Sequence, residues 1–333
     1  KELPPREAME FDVVIVGAGP AGLATAIRIR QLAAEKGEDV SVVVLEKGSE
    51  VGAHILSGAV IDPIGLDRLI PDWRTRGAPL TTEVTEDKFY YLGPAGIMRL
   101  PNAFMPPLMN NHGNYIVSMA NVCRWLAAQA EELGVEIFPG MAASELVFDD
   151  EGAVSGVVAG EFGKAADGTP GPGYEPGMIL RGAYVLLAEG VRGSLAKQAI
   201  ARYDLSAGHE PQKFGLGMKE IWQIDPAKHR LGRVTHTMGW PLRKAAKYKE
   251  FGGSFIYPME DNKVCIGFVA GLDYTDATFS VHDALQQFKT HPFVKKILKG
   301  GKRVGWGAKT IPQGGYWSMP KRLSVPGDRK SVV

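Results

Sequence analysis

Three glycines and one glutamate carry the first chemistry legible in this chain of 333 residues. Gly17, Gly19 and Gly22 follow directly on an apolar run, Val13-Val14-Ile15-Val16, and a segment of helical composition comes next, residues 23–34. The spacing G-x-G-x-x-G between a buried strand and a helix builds a pyrophosphate site. Gly17 allows the tight turn, Gly19 lets the backbone approach the phosphates, and Gly22 lets helix and strand pack closely. Glu46 ends a second apolar strand, residues 40–45, where a carboxylate can accept both ribose hydroxyls of an adenosine. Other chemistries lack their residues. No H-E-x-x-H or C-x-x-C occurs, so a zinc hydrolase has no ligands. Cys123 and Cys265 sit in apolar patterns and read as small buried hydrophobes, too few for an all-cysteine cluster. No Ser-His-Asp arrangement is evident, and the seven histidines read as structural. A second G-x-G-x-x-G is also missing, which argues against a dedicated nicotinamide domain. That leaves a flavin exchanging electrons with another carrier or a bound substrate, chemistry that belongs to the cofactor and requires no catalytic acid or base.

The elements that position these residues suggest an α/β chain. Strand 13–16, its helix and strand 40–45 open a doubly wound, Rossmann-like domain. Strand 183–188 runs into Glu189-Gly190 and a helix near Leu195, a second strand–turn–helix unit of the kind a flavin-binding domain needs. Between them, residues 51–62 are apolar but broken by Gly52, Gly58 and Pro63, so they form no long helix. Ser57-Gly58 can bring backbone amides to a flavin ring. Strands are expected at 88–92 and 97–100, a proline-barred apolar loop at 104–109, and a helix at 119–133 behind Ser118. A hairpin is expected at 145–148 and 154–159, and an exposed loop at 163–178. From Lys213 the texture changes to strands at 214–224, 233–239, 253–258, 264–270 and 302–311, with helical residues 281–298 interrupted at His291-Pro292. This reads as an inserted, antiparallel-sheet second domain of α+β character. The expected domains are therefore 1–212 for the flavin, with glycine-turn units at 13–46 and 183–195, then 213–311 for a substrate, with 312–333 returning toward the first.

The totals narrow the class. Net charge is +1, so no nucleic-acid surface is implied. No apolar run reaches the 18 residues of a membrane span, which leaves open a chain that lies on a membrane.

Several words in the chain are rare: Gly17–Gly22, Val51–Ala59, Met109–Val117, Ala188–Gly190, Leu195–Gln198, His236–Leu242, Gly252–Phe255 and Gly300–Arg303. Together they resemble the electron transfer flavoprotein–ubiquinone oxidoreductases, from about Arg6 to Pro326. The resemblance implies a monotopic flavoenzyme of the inner membrane, on the bacterial cytoplasmic or mitochondrial matrix face. It implies electrons accepted from reduced electron transfer flavoprotein, FAD and one 4Fe-4S cluster as cofactors, and ubiquinone as acceptor. FAD contacts carry over to Gly17, Gly19, Gly22 and Glu46, and more loosely to Ser57, Gly58, Glu189 and Gly190. The family's quinone-contacting pair falls on Gly252 and Gly253, and a membrane-contact segment on about 51–72. The family's four cluster cysteines have no counterpart here, so the chain is expected to be truncated at its C-terminus. Two further readings remain: a related flavin oxidoreductase of geranylgeranyl reductase-like or aromatic hydroxylase-like type, and a non-catalytic nucleotide-binding remnant.

Overall fold

The structure, a computed structural model, describes residues 4–56, 58–242, 245–315 and 331–332. The chain divides into two compact units, one of residues 1–54, 123–210 and 319–333, the other of residues 55–122 and 211–318.

The first unit is organised by a sheet in the order Glu136–Pro139, Val42–Glu46, Glu7–Val16, Met178–Leu187, Val154–Ala159, Ala143–Phe148. The first four strands are parallel and the last two antiparallel. Ser331–Val332 pairs parallel with Val185–Leu186, beyond the reach of Val154–Ala159. Apolar runs without alternation suit parallel strands covered on both faces, and Val14, Ile15, Val43 and Val44 are fully buried. The helix Pro20–Lys36 starts with proline at its first position and stops at Gly37, whose left-handed conformation lets its N–H reach the carbonyls of Ala33 and Ala34. It buries Leu23, Ala26 and Ile27; Leu23 and Ile27 each contribute about 2 kcal/mol by leaving water.

The second unit carries a sheet in the order Lys302–Pro312, Phe214–Gln223, Lys263–Gly271, Gly252–Met259, Arg233–Gly239, Glu86–Leu92, Ile97–Leu100. One face packs against the helices Val281–Thr290 and Pro292–Leu298 through Ile256, Ile266, Phe268, Leu285, Phe288 and Val294. Beneath them Glu220 is buried and accepts from Lys289 Nζ at 2.9 Å, Arg303 at 3.1 Å and Trp222 Nε1 at 2.8 Å. The other face is partly covered by a three-stranded sheet of Ala59–Ile61, Tyr115–Val117 and Thr82–Glu83, which buries Val84, Ile116, Val234, Tyr257 and Cys265.

The structure departs from the sequence expectations in three places. Residues 55–122 belong with the second unit, so 1–212 is not one body. The physical reason is the parallel pairing of Glu86–Leu92 with Arg233–Gly239, a contact across about 147 residues in an otherwise antiparallel sheet. The expected loop at 163–178 contains a hairpin, Phe162–Lys164 with Pro170–Glu175. In the segment 51–72, Val51, Leu66 and Ile70 are buried, Ile55, Leu56, Val60, Ile61 and Leu69 are half-buried and Ile64 is exposed, so its apolar side chains do not all face outward.

Candidate functional site: a nucleotide turn and a glycine-floored sheet

Because its central strands run parallel, the first unit brings Val16, Glu46 and Leu187 to one edge, the edge at which open α/β sheets bind ligands. Gly17 donates its N–H to Leu45 O at 2.8 Å, and Ala188 donates to Val16 O at 2.8 Å. The two strand–turn units thus meet at the glycine turn. A Cβ on Gly17 would lie 2.5 Å from the Ala188 carbonyl oxygen, and one on Gly22 would lie 2.0 Å from the Gly17 carbonyl oxygen. Gly17 also holds φ at +111°, which a side chain resists. At Gly19 nothing in the protein comes within 4 Å of a Cβ position. Gly19 is the N-cap of the helix, makes no side-chain cap bond, and is followed by no acidic residue in the first turn. Free N–H groups, a positive helix end and an unobstructed backbone are what a pyrophosphate requires.

Glu46 ends the strand Val42–Glu46 with one carboxylate oxygen accepting from Gly48 N–H at 2.6 Å, which holds the carboxylate in place beside the turn. Glu189 does something different from the expected flavin contact. Its two oxygens accept from Leu195 N–H at 3.1 Å and Ala196 N–H at 2.8 Å, capping the helix Ser194–Arg202. The side chain is committed to its own helix, which leaves only its backbone for the cofactor contact expected of it; its neighbour Ala188 remains against Gly17. Gly190 holds φ at +85° with open space at its Cβ. Ser57 lies outside the described residues. Gly58 belongs to the second unit, where a Cβ would meet Cys265 Sγ at 2.2 Å and where its carbonyl accepts from Lys219 Nζ at 3.0 Å.

Gly252 and Gly253 also have partners in the fold. A Cβ on Gly252 would lie 2.0 Å from the Val269 carbonyl oxygen, and one on Gly253 would lie 2.5 Å from that of Thr237. Neighbouring strands already occupy the space. What these glycines leave is a shallow face. Strand alternation puts Gly253, Val269 and Gly217 in one row, and Phe89, His236, Phe255, Gly267 and Lys219 in the next. Phe255 lies across Gly267, where a Cβ would meet the ring at 2.0 Å. Phe255 stacks on Tyr257 at 4.5 Å between centroids. The imidazole Nε2 of His236 is 2.7 Å from the Tyr257 hydroxyl. Asp87 is buried one row further, accepting from Asn111 N–H and Nδ2 at 3.0 and 2.9 Å. It lines a cleft of about 240 Å³ with Phe89, Asn102, Met105, Met109 and His112.

Burial pushes the His236 imidazole below its ordinary value, and the Asp87 carboxylate partly offsets this. Burial, followed by Cys265 and Asp87, raises the Tyr257 phenol. Sequence reasoning treated His236 as structural and passed over Tyr257 and Asp87. Their pairing needs the strand register, although the alternation of His236 with Met238 and of Phe255 with Tyr257 marks them as sharing one face. The cysteines are buried as expected, with burial lifting Cys123 to about 11 and Cys265 to about 12. They lie in different units, and no metal-binding group of side chains occurs among the described residues. The residues present do not fit an iron–sulfur cluster.

Comparison with known proteins places both regions. A family model described as NAD(P)-binding Rossmann-like domain matches residues 15–74, and one described as ETF-QO, ubiquinone-binding matches residues 214–311. Electron transfer flavoprotein-ubiquinone oxidoreductase of Pseudomonas aeruginosa is 54% identical over 97% of this chain and 58% of its own length. The mitochondrial proteins of Dictyostelium discoideum and Mus musculus are 51% and 46% identical over 98% and 97% of this chain, and 53% and 52% of theirs. The chain thus spans a little over half the length of these relatives. Among solved structures, a geranylgeranyl bacteriochlorophyll reductase-like protein of Thermoplasma acidophilum superposes with a TM-score of 0.68, at 15% identity over 96% of this chain and 70% of its own. The flavin-dependent halogenase CmlS superposes at 0.60, with 15% identity over 97% and 52%. At such identity these two likenesses establish the fold.

Proposed function

The chain belongs to the electron transfer flavoprotein–ubiquinone oxidoreductase family, and from that premise we propose that it is the flavin- and quinone-binding portion of an enzyme that passes electrons from reduced electron transfer flavoprotein to ubiquinone. The observation that carries this reading is the coincidence of the ubiquinone-binding match with the glycine-floored sheet of the second unit. An apolar face that Gly253 leaves shallow beside Val269, walled by Phe89 and by Phe255 lying over Gly267, suits a flat, weakly polar ring.

FAD is held, in this reading, by the turn of the first unit. The helix end behind Gly19 takes the pyrophosphate, Glu46 takes the ribose hydroxyls, and Gly17 and Gly22 keep the turn closed. When bound, the flavin supplies electron transfer in single and paired steps; the chain orients it and places charge around it. Peripheral membrane attachment is part of the proposal. No helix among the described residues is long and apolar enough to cross a membrane. Among the apolar residues presented outward, a group follows Glu86–Leu92 on one hairpin and loop, with Ile97 44%, Met98 57% and Met109 37% exposed. We assign membrane contact to that region in place of 51–72. Aspartate at Ile97 and Met98 should cut liposome flotation severalfold, and undiminished flotation would remove this surface from the account.

The experiment that tests the whole reading is an absorbance spectrum of the purified protein, followed by titration with decylubiquinone. Bound flavin and saturable quinone binding are expected; a colourless protein that ignores added FAD and quinone would overturn it.

A further inference from the structure

The quinone face contains a group that the flavin and membrane assignments leave unused. His236 sits on the sheet between a closed region and an open one. On one side the row of Val234, Tyr257 and Cys265 is sealed under the three-stranded sheet. On the other, Gly253 and Val269 are only partly covered, while Gly217 at the end of their row is buried. The imidazole is flanked by Phe89 at 6.3 Å and by Tyr257, ring edge to ring face, at 5.6 Å. Nε2 is engaged with the Tyr257 hydroxyl at 2.7 Å, and Nδ1 has no partner among the described residues. A half-buried histidine with one nitrogen anchored and the other available is built to present a proton in a fixed direction. The Asp87 cleft, with Asn102, Asn110 and His112 on its lining, gives the cluster a polar approach beside an otherwise apolar face.

We propose that His236, anchored by Tyr257 and placed beside Asp87, delivers a proton to the quinone reduced on this face. The proposal rests on reading this sheet as a ubiquinone site. Reduction of a quinone to a quinol adds two electrons and two protons, and both carbonyl C=O bonds become C–O–H. The electrons come from a reduced flavin. The imidazole takes up a proton (H+) from solvent at Nδ1 and, as negative charge develops on the quinone oxygen, passes that proton to it, returning to its neutral form. The second oxygen takes its proton from solvent.

The groups facing His236 are few and consistent with this role. Asp87 comes from the strand Glu86–Leu92, Tyr257 from Gly252–Met259, Cys265 from Lys263–Gly271, and Lys219 from Phe214–Gln223; His112 stands at the cleft. Glu86, Lys88 and Arg233 alternate onto the opposite face. Lys219 is tied to the Gly58 carbonyl, and burial lifts the Cys265 thiol to about 12, so the thiol does not compete as a neutral-pH donor. Asp87 is the one carboxylate that acts on the imidazole, and it draws the proton affinity upward against burial.

The test compares wild type with His236→Gln, which keeps an amide in place of the titrating ring, and with Tyr257→Phe. In the flavin-loaded protein, His236→Gln should slow single-turnover reduction of decylubiquinone by about 10²-fold and flatten its pH dependence. Decylubiquinone affinity, read by tryptophan fluorescence without turnover, should change by no more than about threefold, the effect of one neutral hydrogen bond. Tyr257→Phe should lose about tenfold and keep a shifted pH inflection. Independently of activity, the imidazole resonances of His236 should titrate below 6.5, and Asp87→Asn should move them lower still. Should His236→Gln keep the wild-type rate and pH profile, or lose rate only as far as it loses affinity, the inference fails while the quinone site stands. A wild-type protein that neither binds nor reduces decylubiquinone overturns the functional reading and this inference with it.

Discussion

The two glycine sets of this molecule look alike in sequence and differ in structure. In the nucleotide turn, Gly17 and Gly22 are closed off by backbone at 2.5 and 2.0 Å, whereas Gly19 faces open space. On the second sheet, Gly252 and Gly253 are both closed off by neighbouring strands, at 2.0 and 2.5 Å. Glycine is therefore demanded for two reasons. One is an open approach for the ligand proposed above, which among these five the fold leaves only at Gly19. The other is the approach of the protein's own backbone, which accounts for the remaining four. A glycine motif reports a crowded place, and only the neighbours reveal who is doing the crowding. For the proposed quinone site the consequence is direct: Gly252 and Gly253 accommodate neighbouring strands, while Phe255 and His236 are the side chains a ring would meet.

Substitutions separate these roles, beginning with the largest effect. Gly22→Val and Gly253→Leu should each cost about 3 kcal/mol or more, because backbone, not a yielding side chain, lies in the way. The readout is thermal melting, and a Gly253→Leu protein that melts like wild type would return that glycine to ligand contact. Glu220→Gln, on the helix-covered face of the same sheet, should cost about 2 kcal/mol by leaving Lys289 without its charged partner, discounted for the partial exposure of Arg303. Burial raises the Glu220 carboxyl, but hydrogen bonds from Lys289 and Trp222 outweigh this and hold it below its ordinary 4.5. The stability it contributes is thus fully present above pH 4.5 and fades as pH falls through the lowered value. The variant should show a flatter acid limb in urea unfolding; an identical limb would mean that the charge contributes nothing. Smaller again is Glu189→Ala, which should cost about 1 kcal/mol through loss of the helix cap. If Glu189→Ala leaves melting unchanged and abolishes flavin binding, the capping role assigned here is wrong.

Much of this architecture was legible from residue pattern because the relevant contacts are local. The strand before Gly17, Pro20 and Gly37 at the helix ends, and the break at His291-Pro292 between two helices are all short-range signals. The nucleotide site was legible for the same reason, since strand, turn and helix follow one another within about 20 residues. What escaped depends on register between distant segments. The parallel pairing of Arg233 with Glu86 decides which unit residues 55–122 join, and nothing in either strand announces the other. The same holds for His236 against Tyr257, whose strands are antiparallel neighbours. Glu189 escaped although its helix-capping partners lie only six and seven residues on, because an acid after a strand has the same pattern whether it caps a helix or meets a ligand. Membrane contact was read onto 51–72 from apolar composition, which does not say which side of a surface a residue takes; Leu66 and Ile70 are buried, Ile97 and Met98 exposed.

The central claim, that the first unit is a flavin site opened toward its ligand at Gly19, is tested most directly by titrating FAD into the purified protein and into its Gly19→Val variant, following quenching of flavin fluorescence. With nothing in the fold for the new side chain to strike, melting should shift by less than about 0.5 kcal/mol. The account predicts saturable binding in the wild type and none in the variant at that unchanged stability; equal affinity in the two would contradict it.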